Sequence, residues 1–173
     1  MFGPPAAPML SFMLLVTQAQ SVDEIERVRS LLREYQQQLG VDLSFQGFAA
    51  ELDALPGSYA PPGGRLLLAF HELASHHRTP VGCVALQRVT DSRAEMKRLY
   101  VPPSARGLGV GRKLVAEILA EARAIGYSEV VLDTLPNMIE AQRLYEQLGF
   151  REIEPYRHNP IVGTRYLGKT LHD

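Results

Sequence analysis

The residues of this chain best suited to chemistry stand together in Arg106-Gly107-Leu108-Gly109-Val110-Gly111-Arg112. Three alternating glycines occur where an apolar helical pattern begins. Glycine lets a backbone approach a ligand closely and adopts conformations closed to other residues. The first N–H groups of a helix have no intrahelical acceptor, and the helix dipole favours negative charge there. This spacing predicts a phosphate or pyrophosphate site. Arg106, Arg112 and Lys113 add fixed positive charge beside it. The loop is not of the Walker A type, because no G-x-x-x-x-G-K-[ST] run exists. The dinucleotide fingerprint G-x-G-x-x-G fails as well. Its third glycine falls on Arg112 when counted from Gly107, and on Leu114 when counted from Gly109. Asp133 ends the next predicted strand, as a ribose-binding acid does, so a Rossmann-type nicotinamide oxidoreductase stays as a distant alternative. The insert Pro102-Pro103-Ser104-Ala105-Arg106 argues against the tight first turn of that fold.

Other reactive side chains carry less. Cys83 lies within the apolar run Val81–Leu86 and reads as a buried, inert thiol. With one cysteine in the chain, neither an intrachain disulfide nor a Cys-rich zinc site can form. His71, His76 and His77 fall across a predicted hairpin loop without metal-ligand spacing, so no metal site is expected. His158, beside Tyr156 and Arg157 in a late loop, is a candidate base or acceptor contact. Arg27, Arg33, Arg157 and Arg165 are candidates for holding an acidic group on a substrate.

The elements that must position these groups can be read from periodicity. Met9 to Val16 is an apolar run preceded by Pro4, Pro5 and Pro8 and by no Lys or Arg. It is too short to span a bilayer and lacks a signal peptide's basic start, so residues 1–9 read as a proline-rich tail leading into a strand. Ser21-Val22-Asp23-Glu24 is a capping box, and apolar residues from Val22 to Tyr35 keep helical spacing until Gly40. A second helix is predicted over Gln46–Leu55. Leu66–Phe70 and Val81–Val89 form a hairpin around a polar loop, Glu72–Thr79. A strand over Ala94–Val101 ends at two prolines. A helix over Leu108–Ile125, a strand over Glu129–Asp133 and a helix over 139–148 follow, then strands at Phe150–Ile153 and Arg165–Leu171. This order predicts an α/β (α+β) fold, one sheet covered by helices.

The chain of 173 residues suits a single domain. Eighteen basic and nineteen acidic residues leave a net charge of -1. That excludes the global basic excess of a dedicated nucleic-acid binder. A soluble, cytoplasmic protein is expected, with no nucleic-acid or membrane partner. Homodimerisation is compatible with the sequence, although no motif specifies it.

The sequence resembles the GNAT N-acetyltransferase superfamily. Arg106-x-x-Gly109-x-Gly111 matches its acetyl-CoA signature, (Gln/Arg)-x-x-Gly-x-(Gly/Ala). Lys97-Arg98-Leu99-Tyr100-Val101-Pro102 looks like the strand leading into that loop. Asn137, Ala141, Leu144, Tyr145, Leu148, Gly149 and Phe150 match N-x-x-A-x-x-L-Y-x-x-x-G-F. The likeness covers residues 94–150; the first 60 residues carry no specific motif. It implies a mixed, mostly antiparallel sheet splayed at its middle and flanked by about four helices. It also implies acetyl-CoA as co-substrate, with pantetheine along Leu99, Tyr100 and Val101 and near Asn137. The pyrophosphate would sit on the amides of Gly107, Leu108, Gly109, Val110, Gly111 and Arg112. The acceptor is then an amine on a small molecule, amino acid or peptide. Tyr145 corresponds to the tyrosine that protonates the departing sulfur, the amide of Leu99 or Tyr100 to the oxyanion donor, and Glu95 to the base that deprotonates the amine. A non-catalytic acyl-CoA-binding module is the alternative of a different class.

Overall fold

Ser21 starts the first helix as its spacing predicts. Its side chain accepts from the Glu24 amide at 3.2 Å, while the Glu24 carboxylate accepts from the Ser21 amide at 3.0 Å. In the computed structural model, which describes residues 12–172, this helix (α1) spans Val22–Leu39 and follows strand β1, Phe12–Gln18. Its apolar stripe of Ile25, Val28, Leu31 and Leu32 is buried. The expected tail lies outside the described residues. A short helix α2, Phe48–Ala54, precedes the strands β2, Arg65–Leu73, β3, Arg78–Arg88, and β4, Arg93–Tyr100. Then come α3, Val110–Ile125, β5, Glu129–Thr134, α4, Ile139–Gln147, β6, Arg151–Glu152, and β7, Arg165–Thr170. The seven strands form one sheet in the order β1-β2-β3-β4-β5-β7-β6, antiparallel except at the β4–β5 seam.

Three of the boundaries that differ from the sequence reading have a clear structural cause. The β2–β3 hairpin extends further into the polar segment, because Glu72 pairs with Arg78 across the strands and an ion pair of 3.1 Å fastens them. His71 is therefore a strand residue, stacked on Phe12, and not part of a loop. α2 begins at Phe48 and not Gln46, because Gly47 turns left-handed at φ 66°. α3 begins at Val110 and not Leu108, because Gly107 and Gly109 take φ of 77° and 79°, outside any right-handed helix.

β2 is buried on both faces, which accounts for its unbroken apolar run. Leu67 and Ala69 pack with Leu114, Val115 and Ile118 of α3. Leu66, Leu68 and Phe70 pack with Val28 and Leu32 of α1. The sheet thus separates two cores, and the site lies where it opens.

That opening is a splay. β4 and β5 pair only at Arg93–Glu129, Ala94–Val130 and Glu95–Val131. Beyond these pairs the strands diverge. On its other side β4 slips register: Cys83 pairs with Tyr100 and Ala85 with Lys97, so Arg98 and Leu99 together stand opposite Val84. This is a β-bulge, which bends a strand and increases its twist. Arg98 takes the left-handed φ of 60° there. Its side chain is buried, with Nε and a terminal nitrogen donating to the two Glu51 oxygens at 2.8 and 3.1 Å. Tyr59 donates to the same carboxylate at 2.8 Å, and the guanidinium lies 4.8 Å from the centre of the Phe48 ring. The bulge is thereby clamped to α2.

Removing one partner of a buried ion pair leaves the other charge unpaired. Glu51→Ala is expected to lower unfolding free energy by about 3–5 kcal/mol in urea titration. A loss below about 1 kcal/mol, the size of an exposed pair, would show that Arg98 finds other solvation.

Candidate functional site

The splay creates two adjoining spaces. A groove of about 690 Å³ runs from the end of β4, over the glycine loop, to the start of α4. A narrower cavity of about 40 Å³ lies deeper, between β4, β5 and the turn before α2. Tyr35, Leu99 and Met138 border both, so the two spaces meet at the bulge.

All the predicted cofactor residues except Leu108 line the groove: Leu99, Tyr100, Val101, Arg106, Gly107, Gly109, Val110, Gly111, Arg112 and Asn137. Leu108 is an exposed side chain beside it. The first intrahelical hydrogen bond of α3 runs from Lys113 N to the Gly109 carbonyl at 3.0 Å. The amides of Val110, Gly111 and Arg112 therefore have no acceptor within the helix, and no side chain caps it. Open amides at a helix start are the geometry that suits an anion. The glycines serve it differently from one another. A Cβ on Gly107 or Gly109 would meet no protein atom within 4 Å, so what these positions require is positive φ. At Gly111 a Cβ would come 3.4 Å from Leu144 Cδ2, an ordinary contact. The expected close approach is thus a turn requirement at two of the three glycines.

The cations divide. Arg106 donates to the Val101 carbonyl at 3.1 Å and to Gln38 Oε1 at 3.0 Å, tying the loop to β4 and α1. Arg112 bonds the side chain of Gln147. These partners are neutral, so both arginines keep their charge at the groove. Lys113 pairs with Glu117 at 2.6 Å.

Tyr145 reaches the inner cavity from α4. Its ring is buried 5.8 Å from that of Phe150, and burial raises the phenol well above its ordinary value. It stays protonated at neutral pH. Glu95 is 3% exposed and borders neither space. It stands behind Arg157, which lies 2.9 Å from Glu95 Oε1 and also donates to both Asp133 oxygens at 3.0 Å. Burial, outweighing the attraction of Arg157, raises the Glu95 carboxyl above its usual range. The buried Tyr156 hydroxyl lacks a hydrogen-bond partner, and the Glu95 charge acts on it.

The remaining candidates separate from the site. Cys83 is buried, donates to the Arg98 carbonyl at 3.6 Å and has its thiol pushed up to about 12. His158 is exposed and borders neither space. Arg33 pairs with Glu26 and Arg165 with Glu146 and Glu152, while Arg27 is exposed on α1. Arg157 is neutralised by its two carboxylates and is not free for a substrate anion. Among the described residues, no group of three or more potential metal ligands gathers, and no helix is long and apolar enough to cross a membrane. Sequence reasoning missed the links Glu51–Arg98 and Asp133–Arg157, whose partners lie 47 and 24 residues apart. No local pattern signals them.

The description of the acetyltransferase (GNAT) family matches residues 26–150. An uncharacterized N-acetyltransferase of Schizosaccharomyces pombe is 43% identical over 145 residues, covering 83% of this chain and 86% of the relative. A GNAT-family acetyltransferase of Staphylococcus aureus superposes with a TM-score of 0.75 at 22% identity, over 92% of this chain and 100% of that one. An N-acetyltransferase from Thermoplasma acidophilum, solved in complex with coenzyme A, superposes with a TM-score of 0.70 at 18% identity, over 91% and 99%.

The raised Glu95 carboxyl fixes a sign for stability against pH. The folded state binds this proton more tightly than the unfolded chain does. The contribution to stability is complete below the ordinary carboxyl value of 4.5 and is lost as pH rises through the higher folded value. In Glu95→Gln this contribution is absent. Melting temperatures of the two proteins, followed upward from pH 4.5, are expected to diverge in favour of the variant. Parallel curves would show that Arg157 offsets the burial.

Proposed function

Because the chain belongs to the GNAT acetyltransferase family and is an acyltransferase, we propose that it transfers the acetyl group of acetyl-CoA directly to the primary amine of an acceptor. One observation carries this reading: a groove with an anion cradle meets, at Leu99, a cavity into which a buried tyrosine projects. The solved neighbour with coenzyme A supports the donor.

The residues present fit such a donor. The open amides of Val110, Gly111 and Arg112, with Arg106 and Arg112 beside them, suit a pyrophosphate. Beyond Glu95 the backbone of β4 is released from β5 and offers peptide groups to the pantetheine amides, with Asn137 on the opposite wall. Acetyl-CoA supplies an activated acyl carbon, which bonds the amine nitrogen as its bond to sulfur breaks.

The chain's own groups do three things. The Leu99 or Tyr100 amide, in the bulged segment of β4, donates to the carbonyl oxygen as it gains charge. The Tyr145 hydroxyl donates to the departing sulfur. A phenol above about 10 is a weaker acid than a thiol near about 8.5. Tyr145 therefore holds its proton until the sulfur gains charge, and stabilises it mainly through the hydrogen bond. Glu95, a stronger base through its burial, receives the amine proton by way of water, because it borders neither space itself.

Acetyl-CoA at about 100 times its dissociation constant is expected to raise the melting temperature by about 5–11 °C, with NAD and ATP inert. A shift with NAD and none with CoA would remove the assignment. Tyr145→Phe is expected to keep that shift and to lose about 10²- to 10⁴-fold in kcat, read as thiol release with a responsive amine. An unchanged kcat would leave Tyr145 as a packing residue. Tight binding with no turnover of any amine by the unaltered protein would favour a non-catalytic acyl-CoA-binding module.

A further inference from the structure

We propose that Lys97 selects the acceptor by donating to a carboxylate carried next to the reacting amine, so that the acceptor is a free amino carboxylate. This inference rests on the acetyl-transfer reading above and names its substrate class.

Lys97 borders the inner cavity, and its side chain is 9% exposed. In a regular strand Lys97 and Arg98 would point to opposite faces. The bulge breaks that alternation, and both side chains reach towards Glu51 of α2. Arg98 makes the hydrogen bonds there, and Lys97 only a long ion pair. Glu51 already accepts two hydrogen bonds from Arg98 and one from Tyr59, and Lys97 Nζ stands 4.0 Å away, beyond hydrogen-bond reach. The other carboxylates of the cluster are engaged as well. Glu95 faces Arg157, and Asp133 accepts from Arg157 and Asn159. Among the described residues, no hydrogen bond involves Lys97 Nζ. An ammonium largely screened from water, with no carboxylate oxygen of these residues nearer than 4.0 Å, is costly to hold. Its place on a cavity wall gives the charge a purpose that packing does not.

A second group completes the match. Gln46 borders the same cavity, and its Oε1 is buried without a partner. One wall thus presents an unused donor with positive charge, and another an unused acceptor. An amino carboxylate carries the inverse pair, an anionic acceptor and an N–H donor. Net charge agrees. Lys97, Arg98 and Arg157 balance Glu51, Glu95 and Asp133, so the cluster is neutral and tolerates a zwitterion better than a cationic amine. The space is narrow, about 40 Å³, so carboxylate and amine must lie close together in the acceptor to meet both walls.

The test is a panel of free amino acids, each with its amide and its decarboxylated amine, assayed by thiol release at saturating acetyl-CoA. Wild-type kcat/KM is expected to fall about 10- to 100-fold from the acid to either analogue. Lys97→Met is expected to lose that rate on the acid alone and to leave the decarboxylated amine within about 3-fold, because only the charged contact is removed. Lys97→Arg, which keeps the charge, retains a preference for the acid. Equal wild-type rates on acid and decarboxylated amine overturn the inference. So does an equal loss on both in Lys97→Met, or no turnover of any amino acid while acetyl-CoA still raises the melting temperature. If acetyl-CoA produces no shift either, the underlying transfer reading fails.

Discussion

Arg98 holds its backbone at φ 60°, where a side chain costs about 1–2 kcal/mol. The ion pair with Glu51 offsets that strain and fixes its position along the chain. One extra residue on β4 then turns the strand away from β5. The groove, the inner cavity and their junction at Leu99 all follow from that turn. A regular β4 would continue its ladder with β5 and leave no space between them. The remainder of the fold, including the long buried contact of α3 with the sheet, holds the two flanks of the opening apart at constant geometry.

Charge inside the opening is arranged in two linked pairs. Glu51 is saturated by Arg98 and Tyr59, and Asp133 by Arg157 and Asn159. Among the described residues, Lys97 is the member left without a hydrogen bond, and burial shifts both it and Glu95, two positions away on β4, towards their neutral forms. Buried charges of this kind contribute little to stability by themselves. Their arrangement fixes charges of both signs around one narrow space.

Much of the groove was legible from sequence because it is local. Gly107, Gly109 and Gly111 and the helix they introduce occupy one run, so spacing alone placed the open amides. Even there the reason for the glycines was half right, since backbone sign, and not proximity, governs Gly107 and Gly109. The capping box at Ser21 and the burial of β2 on both faces, signalled by its unbroken apolar run, were equally readable. The cavity was not. Its charged wall depends on tertiary partners: Arg157 looked like a free anion ligand until Asp133 and Glu95 met it, and no local pattern set Lys97 apart within its strand. Periodicity carries no information about a register slip of one residue, so the bulge at Arg98 left no trace.

The two spaces are encoded differently, with a consequence for how such a chain can change over generations. The anion cradle is one short contiguous passage, inherited or lost as a unit, and a single substitution at a left-handed glycine damages the whole of it. The cavity wall is assembled from Tyr35, Gln46, Lys97, Asp133 and Arg157, residues scattered along most of the chain. Apart from Tyr35, which borders both spaces, any one of them can be exchanged without touching the glycine turn. Descent can therefore hold one half of the opening constant and revise the other position by position.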